Sequence, residues 1–302
     1  MRQILRHGFL ILALLYGHTC CIAQNTRLTK EEVLKLYQES SLKKYYLMID
    51  YYNLKEFGEP DSGWVELEIN KYVKDTFDFI YQGDFNGNGK PDLLTAITPE
   101  LGCGYQFFLM DYQTNKKARQ VVKLNPECPY YCYLVPAGKA NEFTYYYLNY
   151  DQDSLFVKDV VMYKGELIDK EFAEKKPEKL KSFTINLRAS RGRQNIVYHY
   201  NGKRLTRYLS EDGKETPWDI PADTASLITD LMRRIDFTSM KKRNTHFDDA
   251  PSLDMEIVYK GKSVKFEDTI NFFTGGSRYY SVSLASLYKL LYPELFKESY
   301  YW

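Results

Sequence analysis

The sequence predicts an α+β protein, mainly antiparallel β-sheet with a few flanking helices, arranged as two subdomains. Three observations predict it. Aromatic and β-branched residues alternate with polar ones at period two over many short runs. Asn201-Gly202 and Lys260-Gly261-Lys262 stand between such runs as hairpin turns. Two apolar stripes at helical spacing, Leu227 to Ile235 and Leu284 to Leu291, supply faces that could cover a sheet.

Residues 1–23 read as a secretory signal peptide. Arg2 and Arg6 give a basic start, and Phe9 to Tyr16 form an apolar stretch too short to span a membrane. Cys21-Ile22-Ala23 then places small residues before a cleavage point at Gln24. An acylated Cys20 or Cys21 is the weaker reading, because Gly17-His18-Thr19 lacks the aliphatic residue a lipobox would want. Export to the periplasm or the extracellular space is expected.

Residues 24–168 are expected to form a β-rich subdomain behind one leading helix. Thr29 precedes Glu31 and Glu32, and Val33, Leu34, Leu36 and Tyr37 recur at helical spacing. From about Thr76 the period becomes two, with Phe77, Phe79 and Tyr81 on one face. Leu93 to Ile97, Tyr105 to Tyr112 and Gln120 to Leu124 follow as short strands. Glu142 to Asn149 and Leu155 to Tyr163 flank a turn at Asp151-Gln152-Asp153. The charged run from Asp169 to Lys179, with Pro177 and little apolar periodicity, reads as a linker over 169–181.

Residues 182–302 are expected as an α+β subdomain. Phe183 to Leu187, Ile196 to Tyr200 and Leu205 to Leu209 are strand-like, and Asp223 is expected to cap a helix carrying Leu227, Ile228, Leu231, Met232 and Ile235. Met255 to Tyr259 and Ser263 to Phe266 make a second hairpin. A closing helix begins near Ser283 and breaks at Pro293.

Composition narrows the function. Removing Arg2 and Arg6 from 41 basic residues leaves one fewer than the 40 acidic ones. Nucleic-acid binders carry a clear basic excess, so that class is set aside. No later stretch is apolar enough for a membrane span. Cys103, Cys128 and Cys132 remain after cleavage; in an oxidising compartment they suggest one disulfide and one odd thiol, with Cys128–Cys132 and Cys103–Cys128 both open.

One segment carries chemistry: Gly83-Asp84-Phe85-Asn86-Gly87-Asn88-Gly89-Lys90-Pro91-Asp92-Leu93. Calcium takes six to eight hard oxygen ligands. Side-chain oxygens stand at positions one, three, five and nine (Asp84, Asn86, Asn88, Asp92), with the Lys90 carbonyl at seven and Gly89 at the sharp turn. A plain hairpin would use the same two Asn-Gly pairs. The spacing resembles the calcium loops of EF-hands, dockerins and especially FG-GAP or VCBS repeats, where an Asp-x-Asn-x-Asp-Gly-x-x-Asp-Leu run leads into a strand. The resemblance covers about a dozen residues and implies a calcium site. It departs at Asn88, where the family has aspartate, and at Thr95, where an EF-hand has a bidentate glutamate. Two carboxylates imply weak affinity, of order 10⁻⁴–10⁻³ M, suited to a structural clip in calcium-rich surroundings.

Catalytic signatures do not assemble. Gly-x-Ser-x-Gly, His-Glu-x-x-His and Gly-x-x-x-x-Gly-Lys patterns are missing from the sequence. His199 alternates within a strand pattern, and His246 precedes Asp248, Asp249 and Asp254 without a recognised ligand spacing. Paired tyrosines, as at Tyr145-Tyr146-Tyr147 and Tyr279-Tyr280, lean toward a contact surface. The expected function is an exported, non-catalytic binding protein, immunity- or inhibitor-like in one version, with a protein or glycan partner. Its rival is an exported hydrolase with a carboxylate-based site that the sequence does not single out.

Overall fold

A computed structural model of the chain describes residues 80–97, 106–110, 118–122, 132–139, 141–149, 154–188, 194–211, 214–240, 252–270, 279 and 281–293. Of the expected leading helix, Glu32, Lys35 and Glu39 are described, and they are helical and exposed. The signal segment 1–23, the turn at 151–153, Cys103, Cys128, His246, Asp248 and Asp249 lie outside the described residues.

Among the described residues the chain is strand-rich and folds into three antiparallel sheets. The first runs in sequence order through β1 (Ile80–Gly83), β2 (Asp92–Ile97), β3 (Gln106–Met110) and β4 (Ala118–Val122). The second does the same with β5 (Cys132–Pro136), β6 (Glu142–Asn149), β7 (Ser154–Tyr163) and β8 (Glu166–Asp169). A two-residue turn joins β7 to β8, with Lys164 at φ 48° and Gly165 at φ 90°, the pair of positive φ values that matches strand twist.

The third sheet has β9 (Leu180–Arg188), β10 (Gln194–Tyr200), β11 (Leu205–Glu211), β12 (Lys214–Trp218), β13 (Ser252–Tyr259) and β14 (Lys262–Thr269), in the order β12-β11-β10-β9-β13-β14. Strands β9, β13 and β14 alternate as a half-buried sheet requires. In β9, Phe183, Ile185 and Leu187 are buried while Thr184 and Asn186 are not. Helices α2 (Ala222–Arg234) and α3 (Val282–Leu291) cover that inner face with Ile228, Leu231, Met232, Leu284, Leu287 and Leu291. No described helix is long and apolar enough to cross a membrane.

Helix α2 starts earlier than the sequence suggested. Pro221, not Asp223, is its N-cap, and no side chain caps it. Proline's fixed φ suits a helix entrance, and Asp223 instead lies in the first turn, favourably placed toward the helix dipole. Helix α3 is capped by Ser281, whose Oγ accepts from Leu284 N at 3.2 Å, and it ends just before Pro293.

The segment expected as a linker carries α1 (Lys170–Glu174), whose Phe172 is buried in the same apolar cluster as Val161, Ile168 and the inner face of the third sheet. Arg234 of α2 donates from Nη1 to the carbonyls of Ala173 and Lys175 at 2.9 and 3.2 Å, satisfying the open C-terminal end of α1. Lys175 Nζ pairs with Asp236 at 2.9 Å and with Glu178 at 3.4 Å. Burial alone would raise the Asp236 carboxyl, but hydrogen bonds from Thr238 and Lys175 outweigh it and hold the pKa at about 2. An unfolded aspartate titrates near ~3.9, so this contribution is complete above that value and disappears as pH falls from about 4 toward 2. Between those pH values the wild type should lose more of its melting temperature than Asp236→Asn; equal losses would show that Asp236 is not the group responsible.

Helix α3 also closes the free edge of β8. Asp169 N donates to Ser283 Oγ at 2.8 Å, and Ser286 Oγ donates to Leu167 O at 2.6 Å. Two outward backbone groups of the strand, two residues apart, thus meet two serines three apart on the helix. These serines occupy buried positions that a simple apolar stripe would fill with leucine. The two edges of the third sheet are defended differently. Every residue of β12 is exposed, and Pro217 there lacks an N–H, while β14 carries exposed Lys262 and Lys265.

Candidate metal centre

The loop from Asp84 to Pro91 joins β1 to β2, with Gly83 paired to Asp92 at its base. Gly87 and Gly89 both adopt positive φ, 74° and 77°, which is why glycine stands at each. Those two turns fold the polar side chains back over the loop's own amides. Asp84 accepts from Asn88 N through Oδ1 at 2.9 Å and from Gly89 N through Oδ2 at 2.8 Å. Asn86 Oδ1 also accepts from Asn88 N, at 2.9 Å. Asn88 Oδ1 accepts from Lys90 N at 2.8 Å.

Asp92 sits beneath this layer and is fully buried. Its Oδ2 accepts from Phe85 N at 2.9 Å and Asn86 N at 3.1 Å, and its Oδ1 from Asn86 Nδ2 at 2.9 Å. The Asn86 amide is fixed from both sides, nitrogen toward Asp92 and oxygen toward Asn88 N. The loop therefore brings Asp84, Asn86, Asn88 and Asp92 into one hydrogen-bonded network. Asp84 Oδ1 and Asn86 Oδ1 share a single N–H donor, so they lie within twice 2.9 Å of each other. Lys90 takes part through its backbone N–H and is exposed, like Asn86 and Asn88.

The donor set is all oxygen, as calcium requires. Among the described residues, no group of three or more His, Cys, Asp or Glu side chains gathers as a metal shell; a shell here would combine two carboxylates with two amides and a carbonyl.

The other sequence candidates separate. His199 lies exposed on the outer face of the third sheet, with Nδ1 3.2 Å from Thr184 Oγ1 and its ring 5.8 Å from Tyr208. Asp254 is on the same face, paired with Arg188 at 3.1 Å. Of the described tyrosines, Tyr146, Tyr163, Tyr208 and Tyr279 are partly exposed. Tyr145, Tyr198, Tyr200, Tyr259, Tyr288 and Tyr292 are buried. Two of these buried hydroxyls are paired on neighbouring elements: Tyr259 donates to Met232 O at 2.8 Å and Tyr288 to Asp268 Oδ2 at 2.6 Å.

Two features escaped the sequence. Phe85, an apolar residue inside a polar loop, is 4% exposed and packs on Phe143 of β6 at 5.4 Å between ring centroids. Its one signal was that lone apolar position. Arg207, buried, lies between the rings of Tyr198 and Trp218 at 5.7 and 4.5 Å; only strand register brings those three together. No protein-family model, curated protein or solved structure matches the chain.

Proposed function

We propose that the chain is an exported, non-catalytic binding protein in which Asp84, Asn86, Asn88, the Lys90 carbonyl and Asp92 hold a calcium ion as a structural clip. The observation that carries this reading is the inward turn of the Asp84, Asn86 and Asn88 oxygens onto consecutive loop amides, which holds hard donors over one small turn. In this reading the chain works as two subdomains, 24–168 and 182–302, joined through 169–181. The outer face of the third sheet, with Thr184, His199, Thr206 and Tyr208, meets a protein or glycan partner. An immunity- or inhibitor-type role fits a face of that polarity.

Melting the mature protein with calcium and with EDTA tests the clip. Calcium at about ten times its Kd stabilises a site by ~1.4 kcal/mol, or about 2–4 °C for a chain of this size. Wild type should show that rise and Asp84→Ala should not. A melting temperature indifferent to calcium in the wild type would remove the metal from the reading.

A further inference from the structure

The loop's exposed half and the contact between the first two sheets meet at one residue. Residues 86–90 are exposed, yet Phe85, immediately before them, is buried against Phe143, itself fully buried in β6. Asp92, also fully buried, accepts from Phe85 N and Asn86 N, so one carboxylate sets the backbone on which the Phe85 ring is carried. The ring has little freedom on its other side, because a Cβ added at Gly83 would lie 3.0 Å from Phe85 Cε1. Leu93 and Leu94, directly after Asp92, are fully buried. A rearrangement that reaches the Phe85–Asn86 backbone would move Phe85 relative to Phe143.

We propose that Phe85 is a lever between the exposed loop and the first–second sheet contact, with the Asp92 carboxylate as its fulcrum, so that the state of the loop sets how firmly the two sheets are held together. The lever stands on these contacts; a cation as what moves it rests on the calcium reading above. Asp92 is here a positioning residue for Phe85, while Asp84 acts on the loop alone.

Hydrogen exchange of the full mature chain, followed by peptide mass spectrometry with calcium and with EDTA, tests this. At calcium about ten times Kd, linkage slows exchange roughly tenfold for amides whose opening releases the ion. In the wild type that slowing should reach both the loop and β6. In Phe85→Ala, or in the milder Phe85→Leu if the first does not fold, the loop should keep its slowing and β6 should lose it. A loop response without any β6 response in the wild type, or an unchanged β6 response in the Phe85 variants, overturns the lever. If the loop itself ignores calcium, the metal reading fails separately. The lever is then judged by Asp92→Asn in EDTA: faster exchange in β6 supports it and unchanged exchange overturns it.

Discussion

Replacing Asp169 by Ala is expected to lower the unfolding free energy by about 3–5 kcal/mol, the range for removing one partner of a buried charged network. Asp169 has no solvent exposure. Its Oδ2 accepts from Ser281 Oγ at 2.7 Å and from Ser283 N at 3.0 Å, while Lys158 Nζ lies 3.1 Å from Oδ1, near enough to attract but not aligned as a hydrogen bond. Truncation strands a hydroxyl and an N–H in the interior and takes from Lys158, 21% exposed, its best-buried counter-charge. Buried polar groups left without partners cost roughly 1–3 kcal/mol each. Asp169→Asn, which keeps an acceptor and loses the charge, should fall between. Lys139→Ala, breaking an ion pair whose lysine is 73% exposed, should change stability by less than ~1 kcal/mol. Urea unfolding with unchanged slope measures all three. A loss below ~1 kcal/mol for Asp169→Ala would mean that the β8–α3 seam does not depend on this carboxylate.

In EDTA, Asp92→Ala should still cost about 2–4 kcal/mol, whereas Asp84→Ala should cost less than ~1 kcal/mol. The two aspartates look alike in sequence, and their surroundings separate them. Asp92 serves Phe85 N, a buried donor, and Asn86 N, a partly buried one. Asp84 serves Asn88 N and Gly89 N, both exposed, so water can replace it. Comparing urea midpoints of the two variants in EDTA decides the matter. Equal losses would contradict this division of roles.

The fold was legible wherever local chemistry suffices. The bounds expected for β6, Glu142 to Asn149, are those observed, because aromatic and β-branched residues crowd that run. The stripes of α2 and α3 are likewise carried by their own spacing. β8 is not predicted, and only its last residue falls in the expected linker, since Glu166-Leu167-Ile168-Asp169 shows no alternation and all four residues are buried. Its charged ends are tolerated because Lys289 pairs with Glu166 and the serines of α3 meet Asp169, partners more than a hundred residues away. β12 was invisible for the opposite reason: Lys-Glu-Thr-Pro-Trp has no buried face to impose a period. In the loop, spacing named the polar residues, but nothing local told the buried Asp92 from the exposed Asp84.

Helix α3 standing in for a fifth strand beside β8 has a consequence for how the chain matures. Ser283 lies 114 residues beyond the strand nitrogen it satisfies. While the polypeptide is still emerging, the second sheet can zip from β5 to β8 but ends on a raw, adhesive border. That border stays open until α3 has been made. Chains cut short before residue 281 should therefore stick to one another, strand to strand, where the complete chain does not.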